Sequence, residues 1–108
     1  MKYTIYYTDN WRCRNRGSGR DDFIKEAYEF ENDKDALLKG ISLQEDESVE
    51  DILEELDDGY ETSEEELKEI LENTDYGFGN PVVFWIKNGS KKIYDTGLTR
   101  TIWNREFN

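Results

Sequence analysis

The chain has 108 residues, enough for one domain, with 35% hydrophobic residues, 37% charged residues and a net charge of −12. Charge at that level fits a disordered tail, but three Trp, seven Tyr and five Phe argue against one and predict a single folded domain over 1–108 with a thin aromatic core. A single cysteine, Cys13, excludes an internal disulfide, and the lack of histidine removes the commonest general base and metal ligand together.

Lys2 to Thr8 alternates like a strand, with Tyr3, Ile5 and Tyr7 on one face and Tyr6 on the other. Aromatics on both faces predict that one face stays partly exposed for contact. Residues 9–22 read as a polar loop. Phe23 to Glu31 reads as a second strand, with a mixed pattern that a helix also satisfies. Asn32 or Asp33 caps a short helix through Leu38 that Gly40 ends, and a loop follows around Gln44 to Glu47. Ser48 caps a second helix over 49–58, where Val49, Ile52, Leu53 and Leu56 form one apolar stripe and Gly59 closes it. Thr62 or Ser63 caps a third, with Leu67, Ile70 and Leu71 inside. Gly77, Gly79, Asn80 and Pro81 mark a break. Val82 to Lys87 and Lys91 to Thr96 are strands joined at Asn88-Gly89, and Thr99 to Trp103 offers a further edge strand. The order β-β-α-α-α-β-β predicts an α+β fold: an antiparallel sheet of four to five strands with three helices packed on one face. Phe84, Trp85, Tyr94 and Trp103 are expected in the core or on the sheet.

Charge is segregated along the chain. Residues 1–20 carry +4, residues 21–79 carry −19 and residues 80–108 carry +3. Within 44–75, 16 acids face Lys68 alone. Such crowding costs stability through self-repulsion, whereas an ordinary solvated surface mixes its signs. The predicted helices place Glu50, Asp51, Glu54, Glu55, Asp57, Asp58, Glu64, Glu65 and Glu69 outward. Neighbours three or four residues apart on a helix sit about 5–6 Å apart at Cβ, a grid that approaches the phosphate spacing of a nucleic-acid strand. The bland alternative is a solvated acidic helix pair with no partner.

Other motifs are weaker. Around Gly59 the order of an EF-hand loop fails, because Leu56 stands where a ligand oxygen is required. No metal or cofactor is expected. Trp11, Arg12, Arg14 and Arg16 form an arginine-aromatic loop suited to a secondary contact, or to pairing with the chain's own acids. Its glycines lack the Gly-Lys-Ser/Thr of a phosphate loop. Arginines flanking Cys13 favour its thiolate, but no histidine serves as its base, so a plain thiol is the simpler reading. No nucleophile-base pairing stands out, and no enzyme is expected. The lone cysteine, the lack of a spanning apolar run and the absence of an apolar signal core near Met1 predict a cytoplasmic location away from membranes.

In size, acidity and lack of catalytic equipment, and in the carboxylates of 45–75 above all, the chain resembles small inhibitors encoded by phages and other mobile elements, the anti-CRISPR and antirestriction proteins that mimic DNA. The likeness is one of character and carries no motif. It implies a non-enzymatic protein that occupies the basic groove of a Cas nuclease or restriction enzyme, for example a PAM-reading site lined by arginines, without binding DNA itself. Two alternatives stand beside it: an immunity protein or antitoxin that blocks a basic toxin, and a regulatory module that binds protein through an aromatic sheet face.

Overall fold

The computed structural model describes residues 1–9, 23–56, 61–73 and 80–96. Among these described residues four strands, β1 (Lys2–Thr8), β2 (Phe23–Glu29), β3 (Val82–Asn88) and β4 (Lys91–Asp95), form one antiparallel sheet in the order β2-β1-β3-β4. Three helices, α1 (Asp33–Glu45), α2 (Val49–Glu55) and α3 (Glu64–Glu72), lie between β2 and β3 in the chain. This is the α+β arrangement the sequence predicts. The possible fifth strand, 99–103, lies outside the described residues.

Strand alternation sorts the side chains. Tyr3, Ile5 and Tyr7 face the helices beside Ile86 and Val83 of β3, and Tyr94 of β4 joins them opposite Ile86. Ala36, Leu37, Leu38 and Ile41 of α1, Ile52 of α2, and Leu67 and Leu71 of α3 close the same core. Burying each large aliphatic side chain contributes about 1.5–3 kcal/mol, so most of the stability resides in this one layer. β2 is a strand despite its mixed pattern because every residue from Phe23 to Glu29 pairs with central β1, from Thr8↔Phe23 to Lys2↔Glu29. Tertiary pairing outweighs weak local preference here.

Each helix begins on a side-chain cap. Asn32 Oδ1 accepts from the Asp35 amide at 2.9 Å, Ser48 Oγ from Asp51 at 3.2 Å and Ser63 Oγ from Glu66 at 3.2 Å. Ser63→Ala is expected to cost about 1 kcal/mol. Urea unfolding monitored by circular dichroism checks this, and an unchanged midpoint would show that α3 does not depend on its cap.

Four local expectations are corrected. Gly40 does not end α1, which runs on to Glu45. A Cβ at Gly40 would meet Ile86 Cδ1 at 2.9 Å, so glycine serves a close approach of helix to sheet. The helix ends instead at Asp46, which takes a left-handed φ of 55°. Gln44 is therefore helical and buried rather than looped out. α2 stops at Glu55, short of the expected 58, because Leu56 turns extended and packs its side chain against the core. The β3–β4 turn consists of Gly89 and Ser90, one position later than Asn88-Gly89, since Asn88 pairs with Lys91 and donates its amide to Asp33 Oδ1 at 3.1 Å.

The expected half-exposed aromatic face is also corrected. Tyr6 and Trp85 sit on the sheet face away from the helices, yet each is only 8% exposed. Their rings meet edge-on at 5.3 Å. Lys25 Nζ lies 5.5 Å from the Tyr6 centroid, and Lys87 Nζ lies 4.5 Å from that of Trp85. Phe84 and Tyr94 are buried as expected, while Trp103 lies outside the described residues.

Candidate acidic interface

α1 is the helix against which both α2 and α3 pack. α2 buries Ile52 and half-buries Val49 and Leu53. That leaves Glu50, Asp51, Glu54 and Glu55 exposed. α3 buries Leu67 and Leu71 and exposes Glu64, Glu65, Glu66, Glu69 and Glu72. The two helices are thus both anchored on α1. Asp57 and Asp58 lie outside the described residues, as do Trp11, Arg12, Arg14, Arg16 and Cys13. Among the described residues of α2 and α3, the ion pair present is Lys68 Nζ to Glu65 Oε1 at 3.7 Å, between a half-buried lysine and an exposed glutamate, and a pair so open to solvent on one side contributes little.

The placement of these acids along each helix carries information. Asp33 and Asp35, Glu50 and Asp51, and Glu64 to Glu66 occupy first turns, where the helix dipole favours negative charge. None of the three helices has a basic residue in its last turn. Glu45, Glu54, Glu55, Glu69 and Glu72 stand there instead, against the dipole, each at a cost of about 0.3–1 kcal/mol. Helix stability does not explain them.

The sheet carries the opposite sign. By strand register Lys25, Lys87 and Lys92 share the face away from the helices, with Lys2 at its end. Asp95 on that face pairs with Lys92 at 2.8 Å, and Glu29 lies 3.6 Å from the N-terminal amine. Among the described residues, the far face of the sheet thus carries Lys2, Lys25, Lys87 and Lys92 against Glu29 and Asp95, whereas α2 and α3 carry Lys68 as their one base.

An open hollow of about 570 Å³ lies where α1 turns into α2. Asp9, Asp46, Glu47 and Asp51 line it together with Tyr7 and Leu43. The adjacent Glu55 carboxyl, partial burial, and the charges of Glu55, Asp51 and Glu45 hold the Glu47 carboxyl above its ordinary range. The tyrosines respond to burial in the same direction. Tyr3 is pushed up to about 12 by burial and then by Asp33, and Tyr7 to about 12 by burial and then by Glu26. Both hydroxyls remain donors at neutral pH: Tyr3 to Asp33 at 2.8 Å and Tyr7 to Glu26 at 3.2 Å.

Gln44 was not visible as important from the sequence. Its Nε2 donates to the Leu71 carbonyl at 3.2 Å, and its Oε1 accepts from the Val83 amide at 2.8 Å. One side chain thus joins α1, the C-terminal turn of α3 and β3. The available signal was spacing, since Leu37, Ile41 and Gln44 fall at i, i+4 and i+7 and put an amide on an apolar stripe.

No group of three or more metal-ligating side chains is gathered among the described residues, and no helix there is long and apolar enough to cross a membrane. Comparison with protein-family models, with curated proteins and with solved structures gives no match.

Proposed function

We propose that this protein is a non-enzymatic inhibitor that presents the carboxylates of α2 and α3 to the cationic nucleic-acid site of a nuclease or related enzyme. One observation carries the reading. Glu50, Asp51, Glu54, Glu55, Glu64, Glu65 and Glu69 are exposed, the described residues near them offer Lys68 alone as a counter-ion, and several oppose their own helix dipole. A surface that pays in stability at both levels, crowding and dipole, is accounted for by a cationic partner that relieves it. Asp57 and Asp58, and Trp11, Arg12, Arg14 and Arg16 as a secondary contact, belong to the same proposal. A Cas nuclease or a restriction enzyme is the class of partner the character of the chain suggests, and a cytoplasmic setting goes with it. The aromatic-face alternative loses support from the burial of Tyr6 and Trp85.

The test is capture on the immobilised protein followed by challenge with duplex DNA. A basic nucleic-acid enzyme is expected to be retained at low salt, released by free duplex, and lost steeply as salt rises, because contacts of this kind are screened. Retention of nothing basic at low salt, or retention indifferent to both DNA and salt, overturns the proposal.

A further inference from the structure

Among the described residues β2 ends the sheet: one edge pairs with β1, and no described strand lies along the other. The phase of the ladder decides which backbone groups of β2 point outward. Met1 and Phe30 exchange both of their hydrogen bonds, at 3.0 and 3.1 Å. By alternation Ile24, Glu26 and Tyr28 turn their backbone groups to β1, while Lys25, Ala27 and Glu29 turn theirs away. The same phase appears at Lys2, opposite Glu29, whose carbonyl accepts from the Gly89 amide at 3.0 Å on the β3 side. Lys25, Ala27 and Glu29 are exposed, and on the helical face of this edge Ile24, Tyr28 and Phe30 are only half-buried. A row of outward N–H and C=O groups beside half-covered apolar side chains is a template for another strand.

We infer that β2 pairs with β2 of a second copy of this chain, antiparallel about a two-fold axis at Ala27, and joins the two sheets into one. In this register the strand complements itself. Lys25 falls opposite Glu29 of the second copy on the far face, twice by symmetry, and Ile24 falls opposite Phe30 on the helical face. Ala27, the smallest side chain of the strand, meets its own copy at the axis. Lys25, Ala27 and Glu29 are also the residues whose backbone groups point outward, so the ladder closes with all three bonded. Glu26 falls opposite Tyr28, a hydroxyl of the kind that already donates to it from Tyr7 and Tyr28 of its own chain. Glu29 lies 3.6 Å from the N-terminal amine through Oε2, which leaves its other oxygen for Lys25. Other registers lose this match. An axis at Glu26 or at Lys25 sets like charges opposite one another, and an axis at Tyr28 carries Lys25 past the end of the strand and sets Glu26 against Phe30. The pairing uses neither α2 nor α3 and stands apart from the acidic interface.

Sedimentation velocity over a concentration series tests the pairing. Salt of about 0.15 M screens the repulsion between two copies of net charge −12 beyond about 8 Å. A monomer–dimer equilibrium is expected. Ala27→Pro removes an N–H that points away from β1, so it should leave the melting temperature near that of wild type and abolish the dimer. Lys25→Glu and Glu29→Lys each set like charges opposite one another at two symmetric places. Each should raise the dimer dissociation constant about 10-fold, and the double variant should return it to the wild-type value. A wild type that stays monomeric at every concentration overturns the pairing, as does a dimer that survives Ala27→Pro. Single charge variants that the double variant fails to rescue overturn the register and the inference with it.

Discussion

Gln44→Ala should lower the unfolding free energy by about 3 kcal/mol, the largest single-residue loss expected outside the apolar core. The substitution deletes two hydrogen bonds at once and strands their partners, the Val83 amide and the Leu71 carbonyl. A buried backbone group left without a partner costs about 1–3 kcal/mol, more than the hydrogen bond was worth in net terms. The Leu71 carbonyl sits in the last turn of α3, where no intrahelical donor remains, and Gln44 fills that vacancy from another helix. Denaturant titration of wild type against Gln44→Ala measures the loss. Gln44→Glu separates the two bonds, since it keeps an acceptor for Val83 and replaces the donor to Leu71 with negative charge. It is expected to be at least as damaging as alanine. A loss below about 1 kcal/mol for Gln44→Ala would mean that water replaces the side chain and that the three-element junction does not depend on it.

The second large effect concerns binding. Converting Glu50, Glu54, Glu65 and Glu69 together to lysine should weaken association with a captured cationic partner by roughly 100-fold, an average near 0.7 kcal/mol per position. The four residues form two i,i+4 pairs on exposed surface, Glu50 with Glu54 and Glu65 with Glu69. Effects on the fold partly offset. Lysine at Glu54 and Glu69, toward helix C-termini, gains with the dipole, while lysine at Glu50 and Glu65, in first turns, loses. Melting temperature should therefore change little while affinity collapses, and the salt dependence of what binding remains should flatten. Undiminished affinity in a folded quadruple variant would falsify the acidic interface. Equal losses of stability and affinity would show only that the fold had been damaged.

Much of the architecture was legible in the sequence because its signals are local. Asn32, Ser48 and Ser63 act as caps because a short oxygen-bearing side chain before a helix has a nearby amide to satisfy. β1 reads as a strand because its alternation survives in the structure, with Tyr3, Ile5 and Tyr7 on the helical side and Tyr6 on the other. Gly40 misled for the opposite reason. Its meaning depends on Ile86, 46 positions away in the chain, and a glycine that permits close packing is spelled the same as one that ends a helix. Leu56 fits the helical stripe by spacing but leaves the helix to reach the core.

The candidate site divides the same way. That residues 44–75 are overwhelmingly acidic, and that the helical stripes turn most of those acids outward, follows from composition and period, which belong to the chain before it folds. The placement of Lys25, Lys87 and Lys92 on the far face of the sheet and the triple junction at Gln44 follow from strand order and helix packing. Those depend on which distant residues become neighbours. Periodicity fixes which side of an element a residue faces, and only the assembled core fixes what stands opposite it.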